Sequence, residues 1–112
     1  MTDDELRRAM GELMGWHLYG PTGLEQWYDS ENNLVRSYDG WNPATDANQA
    51  LRVVEAMEKK GWNCSIDTLN KTVSFWRPID GALHREFFWA SFTVISEITV
   101  AICEAAAKAG GA

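Results

Sequence analysis

The chain has 112 residues, room for one domain (1–112) whose single core needs neither metal nor disulfide to hold it. Apolar residues make up 46% and charged ones 23%, the balance of an ordinary globular domain, yet six residues are Trp. A net charge of −6 and a pI near 4.8 exclude binding to a nucleic-acid polymer as the main task, because that attraction runs on clustered Lys and Arg.

The same charge is compatible with a small anion held by one or two Arg, and with docking onto a basic protein surface. Cys64 and Cys103 lie far apart and in no metal-ligand spacing. With no secretory signal at the N-terminus, the chain is expected in the cytoplasm with both thiols reduced. No apolar run approaches the ~20 residues a membrane span requires.

In chain order, Thr2 followed by Asp3, Asp4 and Glu5 predicts a capped helix over 2–13, with Leu6, Met10 and Leu13 on one face and an end near Gly15. "MGWHLYG" alternates, with Met14, Trp16 and Leu18 on one side and His17 and Tyr19 on the other, as a strand does. "LEQWYD" and "NLVRSYD" predict two more strands, joined by a hairpin at "SENN". A central helix is predicted over 44–61. Asp46 and Gln49 form a capping-box-like start, Thr45 is the competing cap, and Gly61 is the stop. Its apolar stripe is Ala47, Ala50, Leu51, Val54 and Met57, with Glu55 and Lys59 paired on the surface.

"WNCSID", "TVSFWR" and "LHREFFWASF" follow as three strands with short turns, the first turning Trp62, Cys64 and Ile66 inward. The last stretch carries β-favouring Ile98, Thr99 and Val100, but its Ala-rich half and the terminal Gly110-Gly111 make it a helix. Ile98, Ala101, Ile102, Ala105 and Ala109 form its buried face. Three helices and six strands with hairpin-type links predict an α+β fold, an antiparallel sheet with helices on its faces.

Three fragments carry a resemblance: "MGW" at 14–16, "WNPATDANQALRVVEAMEKKGW" at 41–62 and "AICEAAAKAGG" at 101–111. Together they resemble the phage ABA-sandwich family, small proteins of bacterial phages and prophages. Ala44 stands where that pattern has Ser and Ala107 where it has Leu, and 67–92 carries none of it. The resemblance implies a layered α/β/α sandwich working in the cytoplasm of a bacterial host. It implies no reaction; function must be argued from the site.

Catalytic chemistry finds little support in the residues. Cys103 sits in an Ala-rich helix face and Cys64 on the apolar side of a strand, places where a free Cys is a small buried hydrophobe. His17 and His84 stand beside aromatics in no metal spacing, and no glycine pattern fits a phosphate loop. A protein without catalytic residues, metal or cofactor is therefore expected.

Binding has two candidate seats. Trp41-Asn42-Pro43 precedes a helix N-terminus. It reads first as a fastener that staples the loop to the core, and second, with Thr45, as the floor of an anion-binding or base-stacking site. Trp76-Arg77, with Arg85 and Phe88-Trp89, forms an aromatic–basic cluster on adjacent strands, rich in the residue types of binding hot spots.

The leading expectation is a phage protein that counters host defence by sequestering a nucleotide-like signal. Trp41, Asn42, Thr45, Trp76, Arg77, Arg85 and Trp89 would line its site, with Arg77 and Arg85 converging and a homo-oligomer often completing the pocket. The alternative is an inhibitor or accessory factor that docks an acidic, aromatic surface on a host or phage protein. A pocket lined by Trp and Arg favours the first; a convex acidic face with exposed aromatics favours the second.

Overall fold

In the computed structural model, which describes residues 1–82 and 84–110, the Thr2 hydroxyl accepts from the Glu5 amide at 3.1 Å and opens α1 (Asp3–Leu13). Leu6 and Met10 are buried on its inner face. The helix stops at Gly15, whose φ of +84° is the left-handed region a Cβ disfavours. The Gly15 amide donates to Glu12 O and the Trp16 amide to Gly11 O, the paired bonds that satisfy the last carbonyls of a helix.

Strands β1 (His17–Tyr19), β2 (Gln26–Tyr28) and β3 (Leu34–Ser37) form an antiparallel meander in the order β1-β2-β3. Its middle residue, Trp27, is buried against α1: a Cβ added at Gly11 would lie 2.3 Å from the indole ring. The helix surface is a flat glycine there because the ring occupies the space.

Helix α2 (Ala47–Lys59) is capped by Asp46, whose carboxylate accepts from the Gln49 amide at 3.1 Å. It ends as α1 does: Gly61 has a φ of +92°, its amide donates to Glu58 O, and the Trp62 amide donates to Met57 O. Its buried face differs from the expected stripe. Ala50, Val53 and Met57 are buried, whereas Ala47 is exposed and Leu51 keeps 55% of its surface. The face is set by what α2 packs on, chiefly α3, and small Ala50 allows that approach while Leu51 lies about 100° round the helix from it. Glu55 and Lys59 form no ion pair among the described residues.

Strands β4 (Asn63–Asp67), β5 (Thr72–Ile79) and β6 (His84–Ser91) form a second antiparallel meander in the order β4-β5-β6. Ile66 lies on the inner face as expected, opposite buried Val73, yet it stays exposed near the end of β4. α3 (Ile98–Gly110) buries Ala101, Ile102, Ala105 and Ala109 as expected, and Cys103 and Ala106 as well. Its neighbours on several sides explain the wide apolar face: it packs on β5, β6, α1 and α2. The Thr99 hydroxyl donates to the Ala44 carbonyl at 2.5 Å and ties α3 to the loop before α2. Leu83, placed at the head of the last strand, and Gly111, half of the expected helix stop, lie outside the described residues.

The α+β class, the three α-helices and the six antiparallel strands are those the sequence predicts. The strands divide into two sheets because the 38–46 loop and α2 intervene between β3 and β4. Packing runs from the second sheet to α3, from α3 to α1 and α2, and from α1 to Trp27 of the first sheet.

Both meanders use the same turn chemistry. Asp29 Oδ1 accepts from the amides of Glu31 and Asn33, and Asp67 Oδ1 from those of Leu69 and Asn70. These bonds, led by the Asn33 and Asn70 amides, hold both carboxyls below the usual carboxylate range.

Candidate functional site

Trp41-Asn42-Pro43 is a fastener. Trp41 is fully buried, 4.7 Å from the Trp16 ring and edge-on to it, and Pro43 is buried beside it. Asn42 O accepts from the Thr45 and Asp46 amides, both at 3.1 Å, and from the Thr45 hydroxyl at 3.3 Å. The Gln49 side chain completes the knot: its Oε1 accepts from the Asn42 amide at 2.6 Å, and its Nε2 donates to Gly40 O at 2.8 Å. Gln49 thus reaches past the capping position into the loop. The Arg36 guanidinium lies 5.5 Å from the Trp41 ring centre and 5.9 Å from that of Trp16. Trp41 has no open face on which a base could stack.

The aromatic–basic cluster lies on adjacent strands, as expected, but is split by strand alternation. Trp76, Arg85 and Trp89 stand on the outer face of the second sheet, where Trp76 pairs across to Phe87 and Arg85 lies 4.6 Å over the Trp76 ring. Arg77 and Phe88 stand on the inner face. Arg77 and Arg85 therefore diverge. Arg77 Nε donates to Glu86 Oε2 at 2.5 Å directly across the ladder, and its guanidinium lies 4.2 Å over the Trp62 ring. The Trp62 and Phe88 rings form a T-shaped pair with centroids 5.7 Å apart.

Arg77 and Trp62 form part of the wall of a cleft of about 540 Å³. It opens where the C-terminal ends of α1, α2 and α3 meet. Ala9, Leu13 and Ala107 give it an apolar lining, with Met10 and Met57 buried behind them, and Ala106, Ala109 and Gly110 of α3 leave the space by being small. Its charged groups are Arg77, Lys60 and Glu12. Helix C-termini oppose an anion, but the bonds from Gly15, Trp16, Gly61 and Trp62 occupy carbonyls at the ends of α1 and α2. The site thus combines two cations and one carboxylate with aliphatic surface, in a volume typical of small-molecule sites.

Trp62 is expected inward from the sequence, but neither it nor Lys60 is connected there to Arg77. A signal was present. Gly61-Trp62 repeats Gly15-Trp16, and an apolar residue directly after such a helix stop commonly packs back on the last turn of that helix.

The remaining reactive groups stand apart from this cleft's chemistry. Burial, reinforced by Glu58, pushes the Cys64 thiol up to about 11, and burial, reinforced by Glu104, pushes Cys103 up to about 12. Both are therefore thiols rather than thiolates at neutral pH. His17 stacks on Tyr28, and His84 lies 3.5 Å from Asp80 with both side chains largely in solvent. Among the described residues, no group of three or more His, Cys, Asp or Glu is arranged to hold a metal ion. No helix among them is long and apolar enough to cross a membrane.

A family model described as the Phage ABA sandwich domain matches residues 11–107, and the chain belongs to that family. No curated protein and no solved structure matches it.

Proposed function

We propose that this phage domain acts by binding rather than catalysis, countering host defence by sequestering a small nucleotide-like signal in the cytoplasm of its bacterial host. The observation that carries this reading is Arg77 in the cleft wall. Stacking on Trp62 and a hydrogen bond to Glu86 fix the guanidinium in advance, so little side-chain entropy is lost when it meets a ligand. Arg77 and Lys60 supply the positive charge for a phosphate. Arg77 already covers the Trp62 ring, so the base would lie against Leu13, Ala9 and Ala107 instead of on an indole. The two protonated thiols suit a protein that holds its ligand without attacking it.

The test is a thermal melt against a panel of nucleotides and cyclic oligonucleotides. A ligand at ~100-fold over its Kd adds about 2.7 kcal/mol, which raises the midpoint of a domain this size by roughly 10 °C. One compound should give such a shift and lose it in Arg77→Ala and Lys60→Ala. A flat panel, or a shift that survives both substitutions, removes the cleft as the seat.

A specific observation favours docking onto a host or phage protein as the second reading. Phe87 and Trp89 keep 55% and 51% of their surface on the outer face of the second sheet. A flat panel together with capture of one host protein that Trp89→Ala abolishes would move the assignment there.

A further inference from the structure

Strand β6 is an edge of the second sheet, paired to β5 on one side only. Three observations tell which of its backbone groups are free. The Phe92 amide donates to Lys71 O at 2.9 Å, immediately beyond the Thr72–Ser91 pair, so the even-numbered residues of β6 aim their amides and carbonyls at β5. Pro78, which has no amide to give, stands opposite Arg85, as fits a pair that exchanges no bonds. Lys108 Nζ reaches from α3 to Trp89 O at 2.8 Å, which requires that carbonyl to face away from β5. Arg85, Phe87 and Trp89 thus present amides and carbonyls along the open edge while their side chains share the outer face.

We propose that this edge pairs with the β6 edge of a second copy of the chain, antiparallel and centred on Phe87, joining two three-stranded sheets into one. The occupant follows from the order Arg85, Phe87, Trp89. A two-fold axis at Phe87 sets Phe87 against Phe87 of the second copy, and Arg85 against Trp89 of the second copy at both ends. These are an aromatic pair and two guanidinium–indole pairs, the side-chain matches that stabilise neighbouring strands. The registers displaced toward the start of the strand are poorer. Moving the axis to Arg85 puts like charges face to face, and moving it to Glu86 sets Glu86 against itself. Inward-facing Glu86 is already engaged by Arg77 of its own chain.

Lys108 does not block the edge. A carbonyl accepts two hydrogen bonds, so Trp89 O can receive Arg85 of the second copy while Lys108 stays. The interface is isologous, the kind that closes as a dimer instead of running on as a fibre. It lies on the sheet edge and does not depend on the cleft or its ligand.

The experiment is sedimentation equilibrium of the full chain over roughly a hundredfold range of concentration, joined to amide hydrogen exchange at both ends of that range. The expected result is a monomer–dimer equilibrium in which the amides of Arg85, Phe87 and Trp89 gain protection in the dimer. Phe87→Pro removes the central edge amide, which is unbonded within the monomer, and should leave a folded monomer at every concentration. Arg85→Glu should weaken the dimer and leave the fold intact. A wild-type chain that stays monomeric overturns the proposal and leaves the edge to a strand of another protein. A dimer that persists in Phe87→Pro, or one without new protection at the three amides, overturns it equally.

Discussion

In the first sheet the central Trp27 is closed off by α1 to 1% exposure, while Trp89 on the edge of the second sheet keeps 51%. Their surroundings otherwise share much. Both sheets are three-stranded antiparallel meanders with an Asp-led turn at one hairpin. Both have an Arg lying over an indole nearby: Arg36 over Trp41 beside the first, Arg85 over Trp76 on the second. What separates the two Trp residues is the surface opposite. Gly11 gives Trp27 a helix flat enough to lie on, whereas Trp89 keeps about half its surface open on the outer face. The same residue type is core in one meander and free for recognition in the other.

The largest expected effect comes from truncating one of each. Trp27→Ala should cost about 3–5 kcal/mol through lost burial and the cavity left behind, a large part of the 5–15 kcal/mol typical of a domain. Trp89→Ala should stay near the ~0.5 kcal/mol of an ordinary surface change. Urea unfolding of both variants at low concentration, where association is suppressed, checks this. Equal losses would mean the outer face is packed in solution and the contrast is false.

Gly11→Ala is the finer probe. Alanine favours helix by about 1 kcal/mol over glycine, yet its methyl would fall 2.3–2.7 Å from ring atoms of Trp27 that are fixed by burial. Overpacking of that kind costs about 1–3 kcal/mol, so the net should be a loss. In a Trp27→Ala background the clash disappears and the same substitution should become stabilising.

The smallest effects come from pH, and they fall on both sheets alike at the acid end. Asp29 and Asp67 have folded pKa values below the ordinary 3.8, so their contribution is present above that value and fades as pH falls through the lower folded ones. Asp29→Ala and Asp67→Ala should each flatten the acid limb of a stability profile, by similar amounts if the two turns are equivalent. At the alkaline end the sign reverses. From pH 9, the ordinary thiol value, to about 12, the unfolded chain loses the Cys103 proton while the folded chain keeps it, so stability falls as pH rises. Cys103→Ala should reduce that fall, read as melting temperature against pH.

Much of the fold was legible because its signals are local. Thr2 and Asp46 cap the helices they were expected to cap, and Gly15 and Gly61 end α1 and α2 at the expected places. The strands follow from alternation and short polar turns. The face of α2 was less legible: Ala50, Val53 and Met57 are separated from Leu51 only by knowing where α3 lies. The candidate site was least legible. Trp76 and Arg77 are adjacent in sequence, and in a strand adjacency means opposite faces, so grouping them joined two surfaces. The cleft gathers Glu12, Lys60 and Arg77 from distant parts of the chain, and no short stretch of sequence carries that meeting.

The division into two meanders bears on how the chain finds its structure. Among the described residues all the strand pairing is between neighbours in sequence, and both hairpins with Asp-led turns close over a few residues, so loop closure costs little entropy. Pairing of this kind has low contact order and belongs to fast folding. The distant contacts converge on α3: its packing on α1 and the Thr99–Ala44 bond join segments that no hairpin brings together. The last helix made is the one that turns two independently closing halves into a single cooperative unit.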